Sequence, residues 1–413
     1  MKKTILALTL ACTAFAAYAK APAPKEEKVP DYKFTTVKEN PISPIKNQFR
    51  SGTCWCFSSL SFLESELLRT QNKEYNLSEM WVVGHAYSDR AVRYVRMDGA
   101  MGFSAGSGFG DVFSVIDRYG IVPEQVYSGY NYGTDKPEQA ELDAVLKGYV
   151  KAIVSKPNRS GLTTAWKKGF DAVIQAYMGE WPSEFEFEGK TYTPASFGSE
   201  ALSFKKEDYV NICSFISEPL YKKVHIDVCD NWRGEDGYNV TMDEMMQIMY
   251  SAIDGGYTIL WGGDVSEEGF SRKAGVATMP VKDPEKKEAG SDELRWGGKD
   301  DVEAPAKAPE KAKKGSKAKE EPVAIPAEVE VNDALRQDAY DRKMTTDDHG
   351  MHIFGYATDQ NGTKYFLVKN SWGDSGKYHG VWYMSHTFIA YKTLNFIVHK
   401  DALPKDIREK LGL

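Results

Sequence analysis

Residues 54–68 place Phe57, Leu60, Leu63 and Leu67 at helical intervals, which predicts a helix that begins near Cys54 and turns one apolar face inward. A second helix is announced by Thr241 and Glu244, the polar pair of a capping box, followed by Met245, Ile248, Met249 and Ala252. After it, "YTILWGGDV" reads as a buried strand. From His349 onward the pattern changes to short apolar runs separated by turns: "HIFGYA", "KYFLVKNSW", "GVWYMSH" and "TLNFIVH". These are expected to be antiparallel strands, with "DQNGTK" as the hairpin turn between the first two. Helices early and strands late predict an α+β fold.

Between these regions, from about residue 282 to 330, Lys, Glu, Ala and Pro dominate, as in "EAPAKAPEKAKKGSKAKEEP". Such a stretch buries too little apolar surface to offset its ordering entropy, and is expected to be a disordered loop. The first 19 residues carry Lys2 and Lys3, an apolar run and the small-x-small site Ala17-Tyr18-Ala19. They read as a cleaved signal peptide, so export to a periplasmic or extracellular location is expected, with lipid attachment at Cys12 as the alternative. No later run is long and apolar enough to span a membrane.

The 413 residues, 42% of them hydrophobic, suffice for a large core. A net charge of -7 offers no basic field and argues against nucleic acid as the main partner. Loss of Cys12 leaves Cys54, Cys56, Cys213 and Cys229, too few for a disulfide framework. Cys213 and Cys229 are either a pair or two buried thiols.

A thiol at a helix N-terminus sits at the positive end of the macrodipole, which favours the nucleophilic thiolate. Cys54 has that position, while Cys56 lies further into the helix and reads as a core residue. A thiolate needs an imidazole to exchange protons with it and a third group to orient the ring. His349 starts a strand and Asn370 ends the next, so a hairpin brings them together. Asp347 and Asp348 precede the imidazole, either as charges that raise its pKa or as a solvated strand end. His352 falls on the opposite strand face and is expected to be packed. His85, His225, His379, His386 and His399 show no metal-ligand spacing, and the chemistry calls for no cofactor.

With these residues placed, the sequence resembles the papain-like cysteine proteases. "NQFRSGTCWCFS" carries Gln48 six positions before the Cys54-Trp55 pair, His349 is followed by Gly355 and Tyr356, and Asn370 to Gly373 read Asn-Ser-Trp-Gly. The resemblance implies Cys54 as nucleophile, His349 as base and acid, Asn370 as orienter and Gln48 as oxyanion donor, with Trp372 shielding the Asn370–His349 bond. It implies a two-lobed fold over residues 46–413, after an extension at 20–45, with an inserted helical region at about 131–238. Gly106 and Ser107 occupy the place where the family offers backbone to a peptide substrate.

The short stretch before Gln48, Ser51 in place of a cysteine and the long interval from Cys54 to His349 resemble the bleomycin hydrolase and aminopeptidase C branch. That branch implies a homohexamer and an aminopeptidase whose terminal carboxylate, here Leu413, binds the substrate amine. The pattern of Leu403, Ile407 and Leu411 between Pro404 and Gly412 describes a competing terminal helix. The sequence therefore predicts a peptidase acting through a thioester acyl-enzyme, with a secreted endopeptidase or an inactive peptide-binding relative as alternatives.

Overall fold

The computed structural model describes residues 29–281 and 324–413. The leader, Cys12 and residues 282–323 of the expected loop lie outside the described residues. Residues 324–330, also expected in that loop, are held instead: Val281 N–H donates to Ala327 O and Val329 N–H to Met279 O, each at 2.9 Å. Glu328 explains why, since its carboxylate accepts from Met279 N–H at 2.7 Å and the Ser385 hydroxyl at 2.6 Å.

The chain forms a helical lobe and a sheet lobe with separate apolar cores. The helix Cys54–Gln71 runs between them. Its predicted apolar face is only part of what it buries, because every residue from Trp55 to Leu67 is covered. Its serines tolerate this by bonding to the helix itself: Ser58 to Cys54 O at 2.7 Å, Ser59 to Trp55 O at 2.6 Å and Ser65 to Ser61 O at 3.1 Å.

The strand Ile259–Gly263 is buried throughout and pairs antiparallel with both His349–Thr358 and Thr393–His399. His349–Thr358 pairs with Lys364–Lys369, which pairs with Val381–Ser385, again antiparallel. The turn between the first two is closed by Asp359, whose side chain accepts from the N–H groups of Asn361 and Thr363 at 2.9 Å. The capping box at Thr241 opens the helix Met242–Asp254, which covers one face of the sheet.

The region 131–238 is not purely helical. It contributes the helices Ala140–Ser155 and Ala165–Met178, but Tyr209–Cys213 pairs with Thr393–His399 and brings Asp236–Asn239 and Lys223–His225 into the main sheet. Cys213 is a buried free thiol and Cys229 an exposed one, so they neither pair nor share a core. Among the described residues, no helix is long and apolar enough to cross a membrane.

The C-terminus departs from the expectation placed on Leu413. Lys405–Leu411 is a helix, and its Ile407 and Leu411, with Leu403 just before it, are buried in the core that also holds Met245 and Met249. Lys410 pairs with Glu244 at 2.7 Å, and Gly412, at φ 72°, closes the helix end in the left-handed conformation. Three buried aliphatic side chains outweigh whatever a free tail would gain. Deleting residues 404–413 is therefore expected to destabilise the protein, and Ile407→Ala alone to cost about 2–5 kcal/mol. Denaturant titration measures both, and an unchanged midpoint in the deletion would contradict this packing.

Candidate active site

The approach to Cys54 is a compact loop. Ser51 Oγ donates to Gln48 O at 2.7 Å and lies 2.5 Å from Thr53 Oγ1, while Phe49 turns the chain at φ 46°. Trp55 Nε1 donates to Ala105 O at 2.9 Å, fixing the backbone next to Gly106. Cys54 is the first residue of the helix and is partly buried, facing the cleft between the lobes. Cys56 is buried and directs its thiol to Glu79 O at 3.4 Å, as a core thiol does.

Across the cleft, the register His352 opposite Lys369 carries the hairpin on to bring His349 beside Asn370. Asn370 Oδ1 accepts from Ser371 N–H at 2.8 Å and lies 2.9 Å from His349 Nε2. The backbone donor identifies that atom as the amide oxygen, so Nε2 carries the proton and the neutral ring offers its lone pair at Nδ1. Trp372 stacks on the imidazole at a centroid distance of 5.0 Å, and the Arg272 guanidinium lies 4.6 Å from the Trp372 ring. His352 is buried on the other face, with Nδ1 2.9 Å from Ser61 Oγ.

Gln48 is fully buried behind the nucleophile loop. Its Nε2 donates to Ser51 O at 2.8 Å, its Oε1 accepts from the Ser371 hydroxyl, and its backbone N–H donates to Ser371 O at 2.8 Å. One N–H of the amide is thus engaged by Ser51, and a carboxamide has two. Ser371 consequently holds both sides of the site: Asn370 through its N–H and Gln48 through its hydroxyl.

The cleft is lined by Cys54, Trp55, Gly106, Ser107, His349 and Gly350, among others. It therefore gathers four of the sequence-predicted residues; Gln48, Asn370, Trp372 and Leu413 are not part of its lining. Ser107 presents no free hydroxyl, because its Oγ is bonded to Asp111 and accepts from Trp232 Nε1 at 2.7 Å.

Burial raises the Cys54 thiol to about 12; the Gly350 N–H opposes this, while Asp347, Asp230 and Asp348 add to it. Burial lowers His349 to about 4, against the Asn370 bond and with the Arg272 charge. Each group alone resists ionisation for the same reason, the loss of water. Transfer of the thiol proton to the ring creates two opposite charges together, which is the charged state such a cavity tolerates. The expectation that Asp347 and Asp348 raise the imidazole pKa is not met: their charges act on the thiol, and Asp348 is turned away to Val265 N–H at 2.9 Å and the Ser266 hydroxyl.

Sequence reasoning missed Ser371, Arg272 and Asp230. Ser371 stood inside a recognised motif, but nothing local tied its hydroxyl to Gln48. Arg272 and Asp230 reach the site only through tertiary structure.

A model of the family described as "Papain family cysteine protease" matches residues 30–170 and 267–392. The chain is 23% identical over 418 residues to aminopeptidase G of Lactobacillus delbrueckii subsp. lactis, covering 91% of this chain and 85% of that one. It is 22% identical over 421 residues to aminopeptidase C of Lactococcus lactis subsp. cremoris, covering 92% and 84%. Bleomycin hydrolase of Mus musculus is 23% identical over 290 residues, or 59% of this chain and 63% of that one. Among solved structures, PepW from Lactobacillus rhamnosis HN001 superposes with a TM-score of 0.63 at 16% identity, over 92% of this chain and 84% of that one.

Ser371→Ala removes the hydroxyl that satisfies buried Gln48 Oε1 without adding any group. The expected loss is about 1–3 kcal/mol of stability, the cost of a buried acceptor left unpaired. Urea unfolding of the variant measures it, and a value indistinguishable from wild type would mean that Gln48 finds another donor.

Proposed function

The chain belongs to the papain family of cysteine proteases, and we propose that it is an exported aminopeptidase, releasing N-terminal residues from peptides through Cys54, His349, Asn370 and Gln48. The observation that carries this reading is the placement of Cys54, first residue of a buried helix, in one cleft with an imidazole whose Nε2 is tied to Asn370. The names of relatives aligned over nine-tenths of the chain support the exopeptidase part. The leader-like residues 1–19 support export.

In this mechanism His349 Nδ1 takes the Cys54 proton as the sulfur attacks the scissile carbonyl. The carbonyl oxygen becomes negative, and the Cys54 N–H with the second N–H of Gln48 Nε2 stabilises it. The imidazolium returns its proton to the leaving amine as the C–N bond breaks, leaving a thioester on Cys54. A water molecule, deprotonated by the same ring, hydrolyses the thioester and restores the thiol. Asn370 keeps Nε2 protonated throughout, and Trp372 covers that bond from solvent.

A second reading, an endopeptidase of the same chemistry, is favoured by one observation: the terminal helix is docked on the body, and Leu413 is absent from the cleft lining. Free-amine aminoacyl substrates compared with their N-acetylated forms decide between the two. The aminopeptidase cleaves only the free amines, and equal cleavage of both would establish the endopeptidase.

Cys54→Ala is expected to abolish hydrolysis, while Cys56→Ala keeps most of it, because only Cys54 faces the cleft. Gln48→Ala is expected to lower kcat by roughly 10²–10³ with little change in KM, as for loss of one donor aimed at developing charge. Steady-state kinetics on a free-amine substrate test all three, and equal losses from the two cysteine variants would undo the assignment.

A further inference from the structure

Cleaving one residue at a time requires an anion for the substrate's α-ammonium and a barrier against longer chains on the acyl side. Leu413 supplies neither here, since no residue beyond Asn395 lines the cleft. The lining contains five acidic residues: Asp111, Asp230, Glu235, Asp347 and Asp348. Three are engaged elsewhere. Asp111 is bonded to Ser107 and Arg233, and Glu235 takes Ser114 Oγ at 3.1 Å and Lys206 Nζ at 3.3 Å. Asp348 holds Val265 N–H and the Ser266 hydroxyl.

Asp230 differs. Its Oδ1 lies 3.9 Å from Arg90 Nη2, too long for a hydrogen bond, and 30% of its side chain remains exposed to the cleft. Its Oδ2 overlies Gly106, where a Cβ would come within 2.1 Å of it. Buried Arg90 also donates to Gly102 O at 3.1 Å, Ser104 O at 3.1 Å and Gly106 O, so one cation anchors both the wall and the carboxylate.

An N-terminal residue places its amine nitrogen only about 2.5 Å from its own scissile carbonyl carbon, so the anion that receives it must lie close to Cys54. Asp230 meets this requirement, because it lines the same cleft as Cys54 and lies against Gly106, next to the Ala105 carbonyl that holds Trp55. We propose that Asp230 is the specificity residue of the cleft: its carboxylate receives the free α-ammonium of a peptide substrate, and its position against Gly106 bars further residues on the acyl side. Asp347, whose carboxyl makes no hydrogen bond or ion pair among the described residues, is a second acidic group in the same recess. Desolvation there and the Asp230 charge push Asp347 up to about 7, so the recess resists a second negative charge unless a cation enters it. An arriving ammonium would supply that cation.

The inference rests on the aminopeptidase reading, and its test separates the two. Asp230→Asn keeps the shape and removes the charge; Asp230→Ala removes both. With aminoacyl and N-acetyl-dipeptidyl fluorogenic amides, wild type is expected to cleave the former only. Asp230→Asn should lower kcat/KM for free-amine substrates by roughly 10- to 100-fold, the worth of a hydrogen bond to a charged group, mostly through KM. Asp230→Ala should in addition gain cleavage of the N-acetyl-dipeptidyl amide. Melting temperatures establish that each variant is folded, and if Asp230→Ala is not, because the space it leaves lets the wall collapse, the isosteric Asp230→Asn still decides. A wild type that cuts blocked peptides as readily as free ones overturns the aminopeptidase reading and this inference together. A wild type that requires a free amine, with that requirement unchanged in folded Asp230→Asn, overturns the assignment to Asp230 alone.

Discussion

The geometry of the site depends on one acceptor, Asn370 Oδ1, which takes the N–H of Ser371 at 2.8 Å and faces His349 Nε2 at 2.9 Å. A carboxamide can present either its oxygen or its nitrogen, and the backbone donor settles which. The imidazole tautomer follows from that choice, and with it the atom that can receive a proton from Cys54. The next residue extends the same control to Gln48, whose backbone N–H and Oε1 are both bound by Ser371. His349 and Gln48, the proposed base and oxyanion donor, are thereby held from adjacent positions of one strand end. Neither can shift without disturbing the other.

Burial sets the electrostatics on top of this geometry. Desolvation raises Cys54 and lowers His349, so a charge on either alone is penalised. The backbone N–H of Gly350 and the helix N-terminus favour the thiolate, while the acidic recess of Asp347 and Asp230 opposes it. A peptide whose ammonium enters that recess cancels part of the opposing field. If Asp230 receives the substrate amine as proposed, substrate binding and thiolate formation are linked through this recess.

Much of this was legible in the sequence because its signals are local. The helix at Cys54, the capping box at Thr241, the hairpin turn and the Asn-Ser-Trp-Gly run each lie within a few residues of chain. The strands Tyr209–Cys213, Lys223–His225 and Asp236–Asn239 were not legible, since their place in the sheet depends on pairing with Thr393–His399 far along the chain. Asp230 sits in the same stretch, between the family-matched segments, with no motif to mark it. The terminal helix was written plainly in Leu403, Ile407 and Leu411. The contrary expectation came from the family resemblance, and burial of those three side chains overrides it.

The ionisable groups of this protein divide by how completely they are matched, and the division separates those that hold the lobes from those that face substrate. Glu64 and Glu79 of the helical lobe share Lys46 at 3.0 and 2.7 Å, Ser43 donates to Glu64 at 2.5 Å, and Lys369 donates to Ser43 O at 2.7 Å. That chain runs from the helix of Cys54 to the residue preceding Asn370, and almost every donor and acceptor along it is used. Removing one partner from so buried a network leaves an uncompensated charge, which is why it can fix the spacing of the two catalytic walls. Asp230 and Asp347 have the opposite character. Asp230 has only the 3.9 Å ion pair with Arg90, and Asp347 has no hydrogen bond or ion pair among the described residues. Under-matched acidic groups in a cleft mark a place where a cationic ligand group can complete them, which is what supports the proposed role of Asp230.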